Sequence, residues 1–98
     1  MTAIYKAPGQ KPEIIDIPNT LEALQEKVGG YIETVTFATD ACIVCNEEGR
    51  LLGLPDNCWL LGVHFVGPIL IVGKNGEEFC ELPGDIVHLF RFIGEAMK

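Results

Sequence analysis

Four cysteines, two histidines and one loop rich in carboxylates and amides are the side chains of this sequence that could do site chemistry. Cys42-Ile43-Val44-Cys45 has the C-x-x-C spacing of a metal clip or a redox pair, because two thiolates across a turn can share an ion or close a disulfide. On a strand, positions i and i+3 point to opposite faces, and Ile43 and Val44 favour a strand. The pair is therefore expected in a core, and Cys58 and Cys80 lack a second C-x-x-C, so all four read as buried free thiols. No metal and no cofactor are expected. His64 and His88 belong to no local Ser/His/Asp or Cys/His pattern. A partly buried strand position is expected for His64 and an exposed helical one for His88, with a spatial pairing such as Cys80 and His88 left open. Gly67 to Lys74 fails as a phosphate loop, because the glycines are wrongly spaced, Asn75 replaces the hydroxyl residue, and Pro-Ile-Leu-Ile-Val lies between.

What remains is the segment Asn46 to Asn57, a polar turn and a Gly/Pro-broken loop around one short apolar stretch. Loops held by a buried strand are where binding groups concentrate. The candidate binding residues are Asn46, Glu47, Glu48, Arg50, Gly53, Leu54, Pro55, Asp56 and Asn57. As acid or base, Glu47, Glu48 and Asp56 would be exposed turn carboxylates without evident means of pKa tuning. No catalytic residue is assigned, and the chain is not expected to be an enzyme.

The elements that position this segment follow from periodicity. Ala3 to Ala7 and Glu13 to Ile17 flank Pro8-Gly9-Gln10-Lys11-Pro12 and read as a hairpin. Asn19 followed three residues later by Glu22 is a variant capping box, and Leu21, Leu24 and Val28 form the apolar stripe of a helix that Gly29-Gly30 stops. Tyr31 to Phe37 alternates with period two and reads as a strand. Ala41 to Cys45 is apolar on both faces, as expected of a central strand. Arg50-Leu51-Leu52 reads as a short returning strand, a third antiparallel element after Tyr31–Phe37 and Ala41–Cys45, while Cys58 to Gly67 reads as either strand or loop. Ile69 to Val72 is a buried strand, and Asn75-Gly76 marks a hairpin to Glu77–Glu81. Pro83-Gly84-Asp85 opens a final helix with Ile86, Leu89, Phe90, Ile93 and Met97 on one face, widened by Val87 and Phe92. The expected fold is one α+β domain over residues 1–98. It is mainly an antiparallel sheet of hairpins, with one short helix after the second strand and a C-terminal amphipathic helix.

Composition bounds the partners. Hydrophobic residues make up 48% and charged residues 21% of 98, which is globular composition rather than that of a disordered chain. Seven Lys and Arg stand against 14 Asp and Glu, a net charge of −7, and the cations are scattered. Neutralising phosphates needs clustered cations, so direct nucleic-acid binding is not expected. Mimicry of nucleic acid would need dense carboxylate rows, whereas only the pairs Glu47-Glu48 and Glu77-Glu78 occur. The chain opens straight into a strand, and its longest apolar stretch is broken by Gly62, His64, Gly67 and Pro68. No membrane association and a cytoplasmic location are expected.

The residues Leu21-Glu22-Ala23-Leu24-Gln25, Val28-Gly29-Gly30-Tyr31-Ile32-Glu33, Cys45-Asn46-Glu47-Glu48-Gly49 and Leu52-Gly53-Leu54-Pro55-Asp56-Asn57 together resemble a family of small domains of unknown function. That family occurs in Firmicutes and their phages and mobile elements, often near antirestriction genes. The likeness is closest over the first 57 residues; Val72-Gly73 and Glu77-Glu78-Phe79 resemble the family's closing hairpin, and Trp59 to Phe65 has no counterpart. It implies no activity and no catalytic residue. The leading expectation is a noncatalytic interaction module of a phage or mobile element acting on a host protein, with counter-defence as its finer form. The alternative is an oligomer that sequesters a small nucleotide-type signal, with Arg50 and Lys74 or Lys27 supplying cations. In both readings the apolar last helix suits a homo-oligomer.

Overall fold

The computed structural model describes residues 1–93, with side chains as far as Leu89. In chain order the elements are β1 (Thr2–Lys6), β2 (Glu13–Asp16), α1 (Leu21–Val28), β3 (Ile32–Ala38), β4 (Ala41–Asn46), β5 (Asp56–Leu60), β6 (Val63–Val66), β7 (Ile69–Asn75), β8 (Glu78–Cys80) and α2 (Gly84–Ile93). The α+β expectation holds: every strand pairing is antiparallel, and the two helices are short.

The order of the main sheet is β2-β1-β7-β4-β3, with β8 also paired to β7. Its two middle strands, β4 and β7, carry the least polar sequences, because both of their faces are covered. Along β4, Ala41, Ile43 and Cys45 face one cluster, with Ile4, Phe65, Ile69, Ile71, Leu82 and Ile86. Cys42 and Val44 face the other, with Ala3, Ile17, Leu24, Val28, Leu70 and Val72. The C-x-x-C cysteines thus lie on opposite faces of the sheet, as strand geometry requires. Helix α1 covers one face; the β5–β6 hairpin and the start of α2 cover the other.

Several local expectations need correction. The cap of α1 is Thr20, whose Oγ1 accepts from the Ala23 N–H at 3.2 Å, so Glu22 falls one position short of a capping box. Asn19 instead donates to the Phe79 carbonyl at 2.8 Å. Leu21 is exposed, leaving Leu24 and Val28 as the buried stripe. Gly29 ends the helix at φ 81°, donating to the Gln25 carbonyl. In the β7–β8 hairpin Asn75 pairs with Glu78, so the central turn residues are Gly76 and Glu77 rather than Asn75 and Gly76. Of the four thiols only Cys42 and Cys45 are buried; Cys58 and Cys80 are half-buried. No hydrogen bond joins Cys80 to His88, which lies exposed on α2. In α2, Ile86 is buried and Leu89 exposed. The side chains of Phe90, Phe92, Ile93 and Met97 lie outside the described ones.

Residues 58–67 form most of a second, two-stranded sheet. Its turn is Leu61-Gly62, with φ of 52° and 75°, the left-handed pair of a two-residue hairpin with right-handed strand twist. A leucine there costs roughly 1 kcal/mol, so the sequence carries no turn signal at this point. Arg50-Leu51-Leu52 does not form a strand. The segment coils instead, with Leu52 N–H donating to the Glu48 carbonyl at 2.9 Å, Gly53 to Arg50 at 3.2 Å and Leu54 to Gly49 at 3.0 Å. These local bonds take up the Leu52 donor and the Arg50 carbonyl and turn the chain back on itself, so no strand forms. Among the described residues no helix is long and apolar enough to cross a membrane.

Candidate functional site

Asn46, the last residue of β4, is buried. Its Nδ2 donates to the Val28 carbonyl at 3.1 Å and its Oδ1 accepts from the Glu48 N–H at 2.8 Å. One amide thus satisfies a carbonyl at the end of α1 and starts the coil that follows β4. The coil presses on β6 where Gly49 meets Val66: a Cβ at Gly49 would lie 3.0 Å from a Val66 methyl. Next to that contact, Arg50 Nη2 donates to the His64 carbonyl at 2.7 Å.

A cleft of about 270 Å³ opens between this coil, β6 and the β3 end of the sheet. Glu33, Glu47, Arg50 and His64 bring charge or proton-transfer capacity to it, and Leu51 and Val63 bring apolar surface. His64 Nε2 lies 3.3 Å from Asp56 Oδ1. That carboxylate is 85% exposed, so the pair is solvent-screened and worth at most about 1 kcal/mol. The imidazole also stacks on Trp59, with ring centroids 4.9 Å apart and planes 19° apart. Cys45 lines the cleft as well. Burial, and then the Glu33 charge, push its thiol up to about 11, so it stays protonated and weakly nucleophilic at neutral pH. Among the described residues no three His, Cys, Asp or Glu side chains converge as a metal site.

Of the candidate residues, Asn46, Glu47 and Arg50 line this cleft, and Asp56 reaches it through His64. Glu48 is exposed beside it and Gly53 permits the coil at φ 69°. Leu54 and Pro55 hold the base of the hairpin: a Cβ at Gly67 would lie 2.6 Å from Leu54 Cδ1, and the Pro55 carbonyl accepts the Gly67 N–H at 2.7 Å. Asn57 turns away from the cleft. Its Nδ2 donates to the Lys6 and Gly67 carbonyls at 2.9 and 2.7 Å, and its Oδ1 accepts from Lys6 Nζ at 2.8 Å. Lys6 is 3% exposed and has no carboxylate partner among the described residues, so Asn57 is the main polar contact of a buried ammonium.

Sequence reasoning missed Glu33, Trp59, Val63 and the participation of His64. Glu33 looked like an ordinary exposed position of an alternating strand. The others sit on a hairpin whose turn has no sequence mark. A wider, more open hollow over the β1–β2 loop is lined by Tyr5, Ala7 and residues 9–13; it gathers fewer convergent groups.

A family model described as "Domain of unknown function (DUF3846)" matches residues 1–93. The chain belongs to this family. The match runs well past residue 57, taking in the β5–β6 hairpin and α2, so the cleft lies wholly inside the family's domain. No curated protein and no solved structure matches the chain.

Proposed function

We propose that the chain is a noncatalytic interaction module that docks on a partner protein through the outer face and tip of the β5–β6 hairpin and the adjoining coil. The observation that carries this reading is the exposure of large apolar side chains on the hairpin and on the coil that borders an acidic cleft. Trp59 is 69% exposed and Leu61 63% on the hairpin, and Leu51 is 87% exposed on the coil, with its neighbour Leu52 also exposed. Exposed large apolar side chains cost solubility and mark contact surfaces. Leu61 adds a second argument, since a bulky residue is held at positive φ at the tip without being buried. Trp59, supported on one face by His64, has the character of an interface anchor. The carboxylates of Glu33 and Glu47 in the cleft, and of Asp56 beside His64, favour a partner surface that combines an apolar anchor with Lys or Arg.

A nucleotide-type ligand suits the cleft less well, because Glu33 and Glu47 flank Arg50, and Lys27 stacks over Tyr5 on the α1 side. The bacterial phage or mobile-element setting and a counter-defence role rest on the resemblance of the sequence, and a cytoplasmic location on its hydropathy pattern. The test is affinity capture from host lysate with the wild-type chain and with Trp59→Ala, followed by titration of the recovered partner. A Trp59-dependent partner is expected, with Kd raised about 30-fold by the substitution, corresponding to a hot spot of about 2 kcal/mol. Repeated failure to recover any partner, or recovery indifferent to Trp59 and Leu61, would refute the reading.

A further inference from the structure

Antiparallel strands turn alternate residues toward and away from their neighbour. In the β3–β4 pair the Glu47 N–H donates to the Tyr31 carbonyl at 2.8 Å, and the register runs on through Ile32↔Asn46 to Thr36↔Cys42. Glu33 and Val35 therefore exchange bonds with β4, while Ile32, Thr34 and Thr36 direct their N–H and C=O groups outward. Strand β3 is the last of the sheet on that side. Among the described residues nothing pairs with these outward groups.

Exposed edges are normally blunted by Pro, Lys, a bulge or shortness. The opposite edge, β2, follows this rule. It has only the four residues Glu13–Asp16, and Pro12 and Pro18 flank it closely on either side. Strand β3 has seven residues, no Pro, Lys or Arg, and its register shift comes only after Thr36. We propose that a second copy of the chain adds to this edge, β3 against β3, antiparallel about a two-fold axis through Thr34. Thr34 then faces Thr34 of the second copy, and Ile32 faces Thr36. Every outward residue meets an outward residue, so the three N–H donors of each copy all find carbonyls, six bonds in all. Glu33 lies opposite Val35, so no like charges face each other across the strands. An isologous contact of this kind closes as a dimer rather than growing into a fibre.

The pairing also bears on the cleft. Glu33 and Val35 line it, and the second copy brings its own Val35 beside Glu33 on the same face of the continuous sheet. The two clefts then flank one axis and present a bivalent surface. The proposal is independent of the docking reading, and Trp59→Ala should leave the dimer intact.

The test measures solution mass by sedimentation equilibrium together with amide hydrogen exchange, for the wild type, Thr34→Lys and Thr34→Pro. Thr34 is exposed and its N–H plays no part in the β3–β4 ladder, so both variants should keep the fold, checked by circular dichroism. The lysines would face each other on the axis, and the proline removes the central donor. A wild-type dimer, monomeric variants, and protection of the Ile32, Thr34 and Thr36 amides that appears only as the dimer forms are expected. A monomeric wild type, a dimer untouched by both substitutions, or a dimer in which these three amides exchange freely would each overturn the proposal.

Discussion

Replacing Asn57 by leucine tests how the hairpin that carries the candidate site is held on the sheet. The change keeps side-chain size and removes three hydrogen bonds: two from Nδ2 to the Lys6 and Gly67 carbonyls, and one received from the Lys6 ammonium. Bonds between neutral groups contribute about 1 kcal/mol each and one to a charged group about 2 kcal/mol, for an expected loss of about 4 kcal/mol. Lys6 is nearly fully buried, and among the described residues its one other acceptor is the Ala7 carbonyl at 3.4 Å, so the stranded ammonium makes the loss larger rather than smaller. For a domain of this size each 1 kcal/mol lowers Tm by roughly 4–8 °C, and a fall of more than about 15 °C is expected. Urea unfolding of Asn57→Leu, Lys6→Met and the double variant forms a cycle. The double variant should be more stable than Asn57→Leu alone, because it removes the buried charge along with its partner. A loss below about 1 kcal/mol in Asn57→Leu, or additive effects in the double variant, would refute the account of Lys6 as a buried cation held by an amide.

Gly73→Ala should destabilise by about 3 kcal/mol in urea titration, since a Cβ there runs into the Glu81 carbonyl where β8 leaves β7, and backbone cannot swing aside as a side chain would; a change within about 0.5 kcal/mol would show that the crossing is looser. Cys45, with its thiol pushed up to about 11 by burial, should resist alkylation at pH 8 in the folded protein and react only as pH approaches that value or the chain unfolds. Peptide mapping that finds Cys45 labelled as fast as in urea would contradict this. Hydrogen bonding to Thr2, through its side chain first and then through its N–H at 2.6 Å from Glu81 Oε2, holds the Glu81 pKa below the ordinary 4.5. Its contribution to stability is complete above that ordinary value and is lost as pH falls through the lower folded one. Carbon-detected titration should place the Glu81 midpoint below that of exposed glutamates, and a midpoint equal to theirs would refute the bond.

Much of the main sheet was legible in the chain because its determinants are local. The run Ala41 to Cys45 is apolar on both faces, which leaves little alternative to a covered central strand, and the same geometry separates Cys42 from Cys45. Gly29 marks a helix end because a left-handed residue is needed there. The turn signals around Pro8–Pro12 and Asn75-Gly76 located two hairpins, the second one residue off. Among the candidate residues, Asn46, Glu47 and Arg50 were legible as polar groups leaving a buried strand.

What the sequence could not decide depends on chain segments far apart. The β5–β6 hairpin turns on Leu61, a residue with no preference for positive φ, so only the packing of Phe65 and Leu60 on the sheet selects that turn. Arg50 to Leu52 looks like a strand until Arg50 meets the His64 carbonyl and the coil closes on itself. Asn57 and Lys6 are 51 residues apart and meet only when the hairpin lies across β1. Glu33 joins the cleft because β3 ends the sheet opposite β6. Local pattern therefore set the strands, the first helix and the acidic, apolar-cored character of the chain. Tertiary packing decided which polar groups share a cleft and which strand edge is left open, because both follow from the order of strands across the sheet rather than along the chain.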